Sequence, residues 1–289
     1  LRIHARCLRV IGDTGALLIS LMLIALLTSH HAAASPTQAD PLSREQRDWL
    51  TQRGQLRVGL VLQTPYAQLD RRAQQLSGAN VDLINLMAKT LQTELLWRSY
   101  ADQAELEKAL VDGQIDFAPG LTQTPAGLRL WLYSDPYMRV PQLIVGERDG
   151  TGAVDLEKLD SQARVAVRMP SATADYLRSN YTHLNLQGVP LERQALQLLL
   201  SQQARYAVID EAQLSRLSRE AEFAGLAVVG DIGFPQLLRV ASRRDTPQLA
   251  EIISQALSAI PARDLEQLHT QWLQPKYPQI SESPGLWKN

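Results

Sequence analysis

An apolar run near the start of the chain reads Leu56-Arg57-Val58-Gly59-Leu60-Val61-Leu62, and the turn residues Thr64-Pro65-Tyr66 follow it almost at once. A short apolar run that ends at turn residues is typical of a buried β-strand. From about Asn80 the apolar residues recur at helical spacing on one face, which consists of Val81, Ile84, Met87, Ala88 and Leu91. A buried strand followed by an amphipathic helix predicts the first unit of an α/β fold.

The same alternation continues to the end of the chain. Further strands are predicted at 95–97, 115–118, 164–167, 184–186 and 206–209. Helices are predicted at 44–53, 104–111, 173–179, 192–203, 211–222 and 249–273, the last one broken at Pro261. Pro119-Gly120 is expected to end the strand at 115–118. Two sets of alternating strands and helices, of roughly 100 residues each, predict two lobes with parallel sheets.

The N-terminus has the pattern of a secretory signal peptide. Arg2, Arg6 and Arg9 precede an apolar run at 16–28, and the small residues Ala32-Ala33-Ala34-Ser35 follow. A helix of that apolar run is about 20 Å long at ~1.5 Å per residue, which is short of the ~30 Å hydrocarbon core. We therefore expect residues 1–34 to be cleaved, with export to the periplasm, and 35–42 to form a linker. An uncleaved peptide that anchors the chain is the alternative.

Composition and charge argue against several classes of function. The 289 residues have a net charge of −1, without the clustered Lys and Arg of a nucleic-acid partner. Cys7 is the only cysteine, and only His183 and His269 follow the expected cleavage point. No zinc, EF-hand, phosphate-loop or nucleophile-elbow motif is present. The sequence thus predicts no metal, no cofactor and no catalytic residue.

A series of short motifs follows one order from about Leu42 to Leu273. They are Ser43-Arg44-Glu45-Gln46-Arg47-Asp48-Trp49-Leu50, Leu56-Arg57-Val58-Gly59 with Pro65-Tyr66, Gly113-Gln114-Ile115-Asp116, Thr124-Pro125 with Ser134-Asp135-Pro136-Tyr137, Arg205-Tyr206-Ala207-Val208-Ile209-Asp210, 240–245 with Pro247-Gln248-Leu249, and Trp272-Leu273. In these motifs the chain resembles family 3 of the bacterial extracellular solute-binding proteins. It is most similar to the Venus flytrap sensor domains of hybrid histidine kinases.

The resemblance implies an α/β fold of the type II periplasmic binding proteins, with two lobes joined by two crossing hinge strands. Lobe 1 would comprise 43–140 and 239–275, lobe 2 would comprise 141–238, and 276–289 would be a tail. Such a fold holds its ligand between the lobes and closes by a hinge motion.

The resemblance also implies a set of ligand contacts. Asp210 matches the family's ammonium-binding aspartate, and Tyr66 matches an aromatic residue that stacks on the ligand. Thr122 matches a hydroxyl that bonds the ligand carboxylate, and Ser171 lies at a helix start where the second lobe offers hydroxyl and amide groups. Each has a purely structural alternative: a helix cap for Asp210 and Ser171, core packing for Tyr66, and a turn for Thr122.

The chain departs from the family pattern at Gly127, where the family places a carboxylate-binding arginine. A charge-assisted hydrogen bond contributes about 1.5–3 kcal/mol, so the loss of that arginine would weaken carboxylate binding about 10- to 100-fold. Either Arg129 replaces it, with Arg168 as a further candidate, or the ligand is not a simple α-amino acid. A degenerate pocket whose lobes signal without a ligand is a third possibility.

These features predict a periplasmic domain that closes on a small polar ligand, an amino acid or a small carboxylate-like molecule. Its partner would be the permease of an ABC transporter or a membrane sensor kinase, and nucleic acid would not be one. A dehydratase that uses Asp210 or Glu211 as an acid or base is a less favoured alternative. An adaptor that uses the lobes only as a surface is another.

Overall fold

The computed structural model describes residues 40–148 and 152–273. The predicted signal peptide, most of the linker and the tail therefore lie outside the described residues. From Pro41 onward the described chain belongs to one compact unit. Within the described residues, no helix combines the length and apolar character that a membrane crossing requires.

The described chain alternates strands and helices as predicted. The strands are β1 (Gln55–Val61), β2 (Gln68–Asp70), β3 (Gln75–Ser77), β4 (Glu94–Tyr100), β5 (Phe117–Thr122), β6 (Trp131–Tyr133), β7 (Met138–Val140), β8 (Gln142–Glu147), β9 (Arg164–Arg168), β10 (Asn185–Val189), β11 (Tyr206–Asp210), β12 (Leu226–Asp231) and β13 (Gln236–Arg243). The helices are α1 (Arg44–Arg53), α2 (Ala79–Leu91), α3 (Gln103–Val111), α4 (Gly127–Leu130), α5 (Ala172–Asn180), α6 (Glu192–Leu200), α7 (Glu211–Leu217), α8 (Pro247–Ser258) and α9 (Ala262–Trp272). Two short 3₁₀ turns are Leu156–Lys158 and Ala221–Phe223.

Two sheets define two lobes. In the first, β4, β1, β5, β13 and β6 are neighbours in that order, and β7 also pairs with β13. In the second the order is β10, β9, β11, β8 and β12. Strands β1, β4 and β5 are parallel to one another, as are β9, β10 and β11, whereas β8, β12 and β13 run antiparallel to their neighbours. The predicted two-lobed α/β fold is confirmed.

The chain crosses between the lobes twice. The first crossing is at Pro141, between β7 and β8, and the second is at 232–235, between β12 and β13. Strand β13 already belongs to the first sheet at Gln236, slightly before the predicted return at 239. A buried chain of hydrogen bonds ties the crossings together, because Thr173 accepts from Gln236 at 2.7 Å and donates to Gln142 at 3.2 Å.

One strand prediction was wrong. Pro119-Gly120 does not end the strand that was predicted at 115–118. That strand is β5, which continues to Thr122 and pairs with β13 on both sides of the two residues. The register of that pairing shifts between Arg239 and Ala241, because Pro119 and Gly120 together lie opposite Val240 and form a bulge in β5. A bulge tolerates a proline, which has no N–H to give to the ladder.

Candidate ligand-binding site between the lobes

A small cavity lies between the two sheets, at the carboxyl ends of their parallel strands. Its volume is about 40 Å³. The residues that line it are Val61, Gln63, Tyr66, Asn80, Gln103, Leu106, Pro119, Gly120, Arg168, Asp210, Gln213, Gln236 and Leu238. Pockets that hold small ligands have volumes of about 300–1,000 Å³. The cavity therefore has room for water and not for a solute of amino-acid size, which has to displace some of the side chains described next.

Tyr66 of the first lobe meets Asp210 of the second. The Tyr66 hydroxyl donates to Asp210 Oδ1 at 3.0 Å, and both side chains are buried. The loop that carries Tyr66 follows β1 and is fixed by the start of α2, where the Asn80 N–H donates to the Tyr66 carbonyl at 2.9 Å. Burial, followed by the charge of Asp210, raises the pKa of Tyr66 well above its usual value.

Asp210 also begins α7. Its Oδ1 accepts from the Gln213 N–H at 2.8 Å, which is the contact of a helix N-cap. Its Oδ2 accepts from Gln213 Nε2 at 2.6 Å. Burial, and after it the charge of Glu192, raise the pKa of Asp210 to about 7 against the opposing effect of the donors from Gln213 and Tyr66. The cap and the contact between the lobes thus use the same carboxylate.

Gln63 reaches from the first lobe into the second. Its Nε2 group donates both to Glu192 Oε2 and to Gln213 Oε1. Glu192 begins α6 and is 4% exposed. The single amide of Gln63 therefore links two helix starts of the second lobe.

Arg168 and Glu192 form a buried ion pair at the end of β9. Arg168 Nε lies 2.7 Å from Glu192 Oε1, although its N–H is not aligned for a hydrogen bond. On its other side, Arg168 Nη1 donates to Gln103 Oε1 of the first lobe at 3.3 Å. Gln103 Nε2 in turn donates to Glu107 at 2.9 Å. Burial raises the pKa of Glu107, while Gln103 and Arg168 act in the opposite direction.

These contacts form one continuous polar chain across the cleft. Its members, in order, are Tyr66, Asp210, Gln213, Gln63, Glu192, Arg168, Gln103 and Glu107. This polar chain passes between the lobes at four contacts, which are Tyr66–Asp210, Gln63–Gln213, Gln63–Glu192 and Gln103–Arg168. It contains three carboxyl groups and one cationic group.

The space beside Gly127 is filled. A Cβ atom at residue 127 would lie 2.2 Å from the Tyr133 hydroxyl and 2.9 Å from Trp131 Nε1. Tyr133 is held there, since its hydroxyl donates to the Thr122 carbonyl at 3.1 Å. The structure therefore has no room at this position for the side chain that the family pattern places there.

The structure brings together only part of the predicted site. Tyr66 and Asp210 meet at the cavity. Ser171 caps α5, accepting from the Ala174 N–H at 3.0 Å, and its hydroxyl donates to the Arg168 carbonyl at 2.6 Å. Thr122 is half-buried at the end of β5 and does not line the cavity, and Arg129 is exposed on α4. The ligand contacts of all five predicted residues stay a prediction.

Sequence reasoning did not select Gln63, Glu192 or Gln213. Each lies just after a strand, at the carboxyl edge where ligand sites of parallel sheets occur. Their position after a strand could have marked them as candidates in the sequence. An acidic residue such as Glu192, however, is also common in the first turn of a helix, where it stabilises the helix itself. Within the described residues, no group of acidic, histidine or cysteine side chains is arranged to hold a metal ion.

A larger groove of about 720 Å³ lies elsewhere, on the second lobe. It is lined by residues at the starts of β9 and β11, including Arg164 and Arg205. It is thus at the opposite edge of the sheet from the polar chain, and none of the predicted site residues line it.

The fold and the cavity together define a class: a two-lobed α/β domain of the ligand-binding type, with a polar cavity between the lobes. More narrowly, the chain belongs to the bacterial extracellular solute-binding proteins, family 3, whose model matches residues 56–275. This confirms the family that the sequence motifs predicted. No curated protein matches the chain.

Several solved structures share the fold. The VFT2 domain of Bordetella pertussis BvgS (double mutant F375E/Q461E) is 23% identical with a TM-score of 0.71, and the match covers 80% of this chain and 98% of that one. A histidine kinase sensor domain with similarity to periplasmic binding proteins is 24% identical with a TM-score of 0.69, covering 77% and 96%. An ancestral arginine-binding protein bound to arginine is 24% identical with a TM-score of 0.67, covering 76% and 98%. At these identities the likeness shows the fold alone.

Proposed function

We propose that this chain is a periplasmic domain that closes its two lobes over one small polar solute. The observation that carries the proposal is the meeting of Tyr66 from one lobe with Asp210 from the other, beside the cavity at the carboxyl ends of the parallel strands. A solute that enters replaces contacts within the polar chain, so its binding is coupled to the hinge.

A screen for ligands by thermal shift tests this function. The purified full chain would be melted with amino acids, amines, small carboxylates and aromatic acids. A ligand at 100 times its Kd adds about 2.7 kcal/mol, which raises the Tm of a domain of this size by roughly 5–11 °C. We expect Asp210→Ala to abolish the shift and Asp48→Ala, an exposed aspartate on α1, to leave it unchanged. A folded chain whose Tm responds to no compound would contradict the proposal.

The partner of the closed form is a membrane protein, either a transporter permease or a sensor kinase. The support for a sensor role is the resemblance of the lead-in motif at 43–50 and of the closing motifs to flytrap sensor domains. Crosslinking of the full chain in its native membranes, followed by mass spectrometry, separates the two. A crosslinked permease supports transport and a crosslinked kinase supports signalling.

The arrangement around Asp210 favours binding over dehydratase chemistry. The pKa of about 7 would suit a general acid or base. The carboxyl group, however, already accepts hydrogen bonds from Tyr66 of the other lobe and from two groups of Gln213. Both of its oxygens are therefore occupied as acceptors. Turnover that Asp210→Asn removes would favour the enzyme instead.

A further inference from the structure

The amide of Gln63 occupies a position whose surroundings suit a cation. Its Nε2 group faces the Glu192 carboxylate on one side and the Gln213 amide oxygen on the other. The orientation of Gln213 is fixed, because its own Nε2 donates to Asp210 Oδ2 at 2.6 Å. Two oxygen acceptors, one of them charged and 4% exposed as part of Glu192, thus face one neutral NH₂ group.

We propose that this position takes the primary ammonium group of a small organic amine, which displaces the Gln63 amide. The inference rests on the proposed function and names the ligand class for that cleft. An ammonium carries three donors and a full positive charge. It therefore adds the attraction of opposite charges to its hydrogen bond with Glu192, which the neutral amide of Gln63 does not supply. Asp210 acts as a positioning residue here, since it turns the Gln213 oxygen toward the ammonium.

The charges of the cleft support an amine that has no carboxylate. The polar chain contains three carboxyl groups, those of Asp210, Glu192 and Glu107, and one guanidinium, that of Arg168. The guanidinium lies 2.7 Å from Glu192 and also contacts Gln103, so the protein itself already compensates its charge. A ligand carboxylate would enter a site with an excess of negative charge.

The second argument is steric. The position that the family uses for its carboxylate-binding arginine is Gly127, and any Cβ there would lie 2.2 Å from the Tyr133 hydroxyl. Arg129 is exposed on α4 and does not line the cavity. Among the described residues, the first lobe thus brings no guanidinium to the cavity that could replace the missing arginine.

Two matched pairs of ligands test the ligand class. Putrescine is ornithine without its carboxylate, and cadaverine is lysine without its carboxylate. Isothermal titration calorimetry on the full chain would compare the members of each pair. We expect each amine to bind at least 10-fold more tightly than its amino acid. Tighter binding of the amino acids would overturn the inference.

Substitution of Glu192 tests the site. We expect Glu192→Gln to weaken amine binding about 10- to 100-fold, since a charge-assisted bond is lost. Glu251→Gln, an exposed glutamate on α8, is the control and should bind as the unmodified chain does. Unchanged amine affinity in Glu192→Gln would overturn the inference.

The single variant leaves Arg168 buried without its partner, which can unfold a protein. The double variant Glu192→Gln/Arg168→Gln removes both charges, so that no unpaired charge remains buried. Its amine affinity should remain low, whereas recovery of the original affinity would show that Glu192 does not bind the ammonium.

Arg168→Gln alone separates this inference from amino-acid binding. If Arg168 only neutralises Glu192, its removal frees the carboxylate, and amine affinity should increase. If Arg168 instead binds a ligand carboxylate, its removal should weaken binding. Arg164→Gln, an exposed arginine at the start of the same strand, is the control. Binding of other compounds but no amine would overturn this inference alone, and binding of no compound would overturn the proposed function as well.

Discussion

Asp116 shows what one buried charge contributes to the first lobe. It is 1% exposed and accepts from the Arg57 N–H at 2.8 Å, from Arg57 Nη2 at 2.8 Å and from Arg53 Nη2 at 2.6 Å. Burial alone would raise its pKa, but the hydrogen bonds from Arg57 and Arg53 outweigh burial and lower it. The aspartate of the Gly-x-Ile-Asp motif therefore fixes the start of β1 against the turn before β5.

We expect Asp116→Asn to lower the free energy of unfolding by about 1–3 kcal/mol, because two partly exposed arginines lose a charged partner. Urea denaturation at pH 7 measures this. Asp112→Asn is the control, since Asp112 is exposed on the same turn and its ion pair, with Lys108, is exposed to solvent.

The effect of Asp116 should depend on pH in a defined direction. Its pKa is lower in the folded chain than in the unfolded chain, where it is about 3.9. The stabilisation is therefore complete above the unfolded value and is lost as the pH falls through the folded value. The difference between the unmodified chain and Asp116→Asn should shrink below about pH 4, and a constant difference would contradict this account.

Asp210 should have the opposite pH dependence. Its pKa is about 7 in the folded chain, above the unfolded value. Protonated Asp210 therefore makes its full contribution to the stability of the fold below the unfolded pKa, and this contribution is lost as the pH rises through about 7. Each pKa unit corresponds to about 1.4 kcal/mol, so the loss from pH 5 to 8 should be on the order of a few kcal/mol.

Thermal unfolding from pH 5 to 8 measures the contribution of Asp210. We expect Asp210→Asn to flatten the decline of Tm, whatever its absolute stability, because an asparagine does not titrate. The control Asp48→Asn should keep the slope of the unmodified chain. An unchanged slope in Asp210→Asn would assign the titration to another group.

Among the individual residues at the cavity, Tyr66 and Asp210 could be identified from the sequence, because each belongs to a short local motif. It could not select Gln63 or Glu192, which meet across 129 residues of chain and contact each other only when the lobes close. Glutamine carries no charge pattern that marks it in a sequence. The partner across the cleft, rather than the local sequence, gives Gln63 its place in the site.

Among the structural elements, the junction between the Tyr66 loop and α2 depends on Gly78. Gly78 has φ +129°, and a Cβ there would lie 2.4 Å from the Tyr66 carbonyl oxygen. Since the obstructing atom belongs to the backbone, the loop itself would have to move. The glycine thus permits the close approach that positions Tyr66 at the cleft.

We expect Gly78→Ala to lower stability by more than Gly54→Ala does, and to weaken ligand binding. Gly54 also has positive φ, at +76°, but no atom lies within 4 Å of a Cβ there. Gly54→Ala should therefore lower the free energy of unfolding only by the cost of the backbone conformation, about 1–2 kcal/mol. Overpacking should add a further ~1–3 kcal/mol at residue 78. Equal losses in urea denaturation would show that the contact with Tyr66 is not limiting.

Elements with a strong local period were predicted well, and those defined by their neighbours were not. Helix α1 has the predicted bounds, because Ser43 and Gln46 form a capping box that the sequence displays. The sequence predicted that the strand of β5 would end at Pro119, since a proline normally ends a strand. Only the pairing with β13, which is remote in sequence, shows that Pro119 and Gly120 form a bulge and that the strand continues beyond them.

For the whole molecule, closure depends on a few contacts between the lobes. Tyr66, Gln63 and Gln103 of the first lobe donate to or accept from groups of the second, and all three are uncharged. A hydrogen bond contributes about 0.5–1.5 kcal/mol net, and about 1.5–3 kcal/mol when one partner is charged. The closed form is therefore favoured by only a few kcal/mol from these contacts, within the range that the binding of one solute can reverse or replace.

Gln63→Ala tests how far closure depends on this chain of contacts. The substitution removes the donor to both Glu192 and Gln213, and we expect it to shift the molecule toward an open form with a larger radius of gyration in small-angle X-ray scattering. Gln75→Ala, on the exposed hairpin strand β3, is the control and should scatter as the unmodified chain does. A solute that bridges the lobes in place of Gln63 should return the variant to the compact form. If Gln63→Ala remains as compact as the control without any added solute, the apolar surfaces of the lobes hold them together, and a ligand would then have to act on those surfaces rather than on the polar chain.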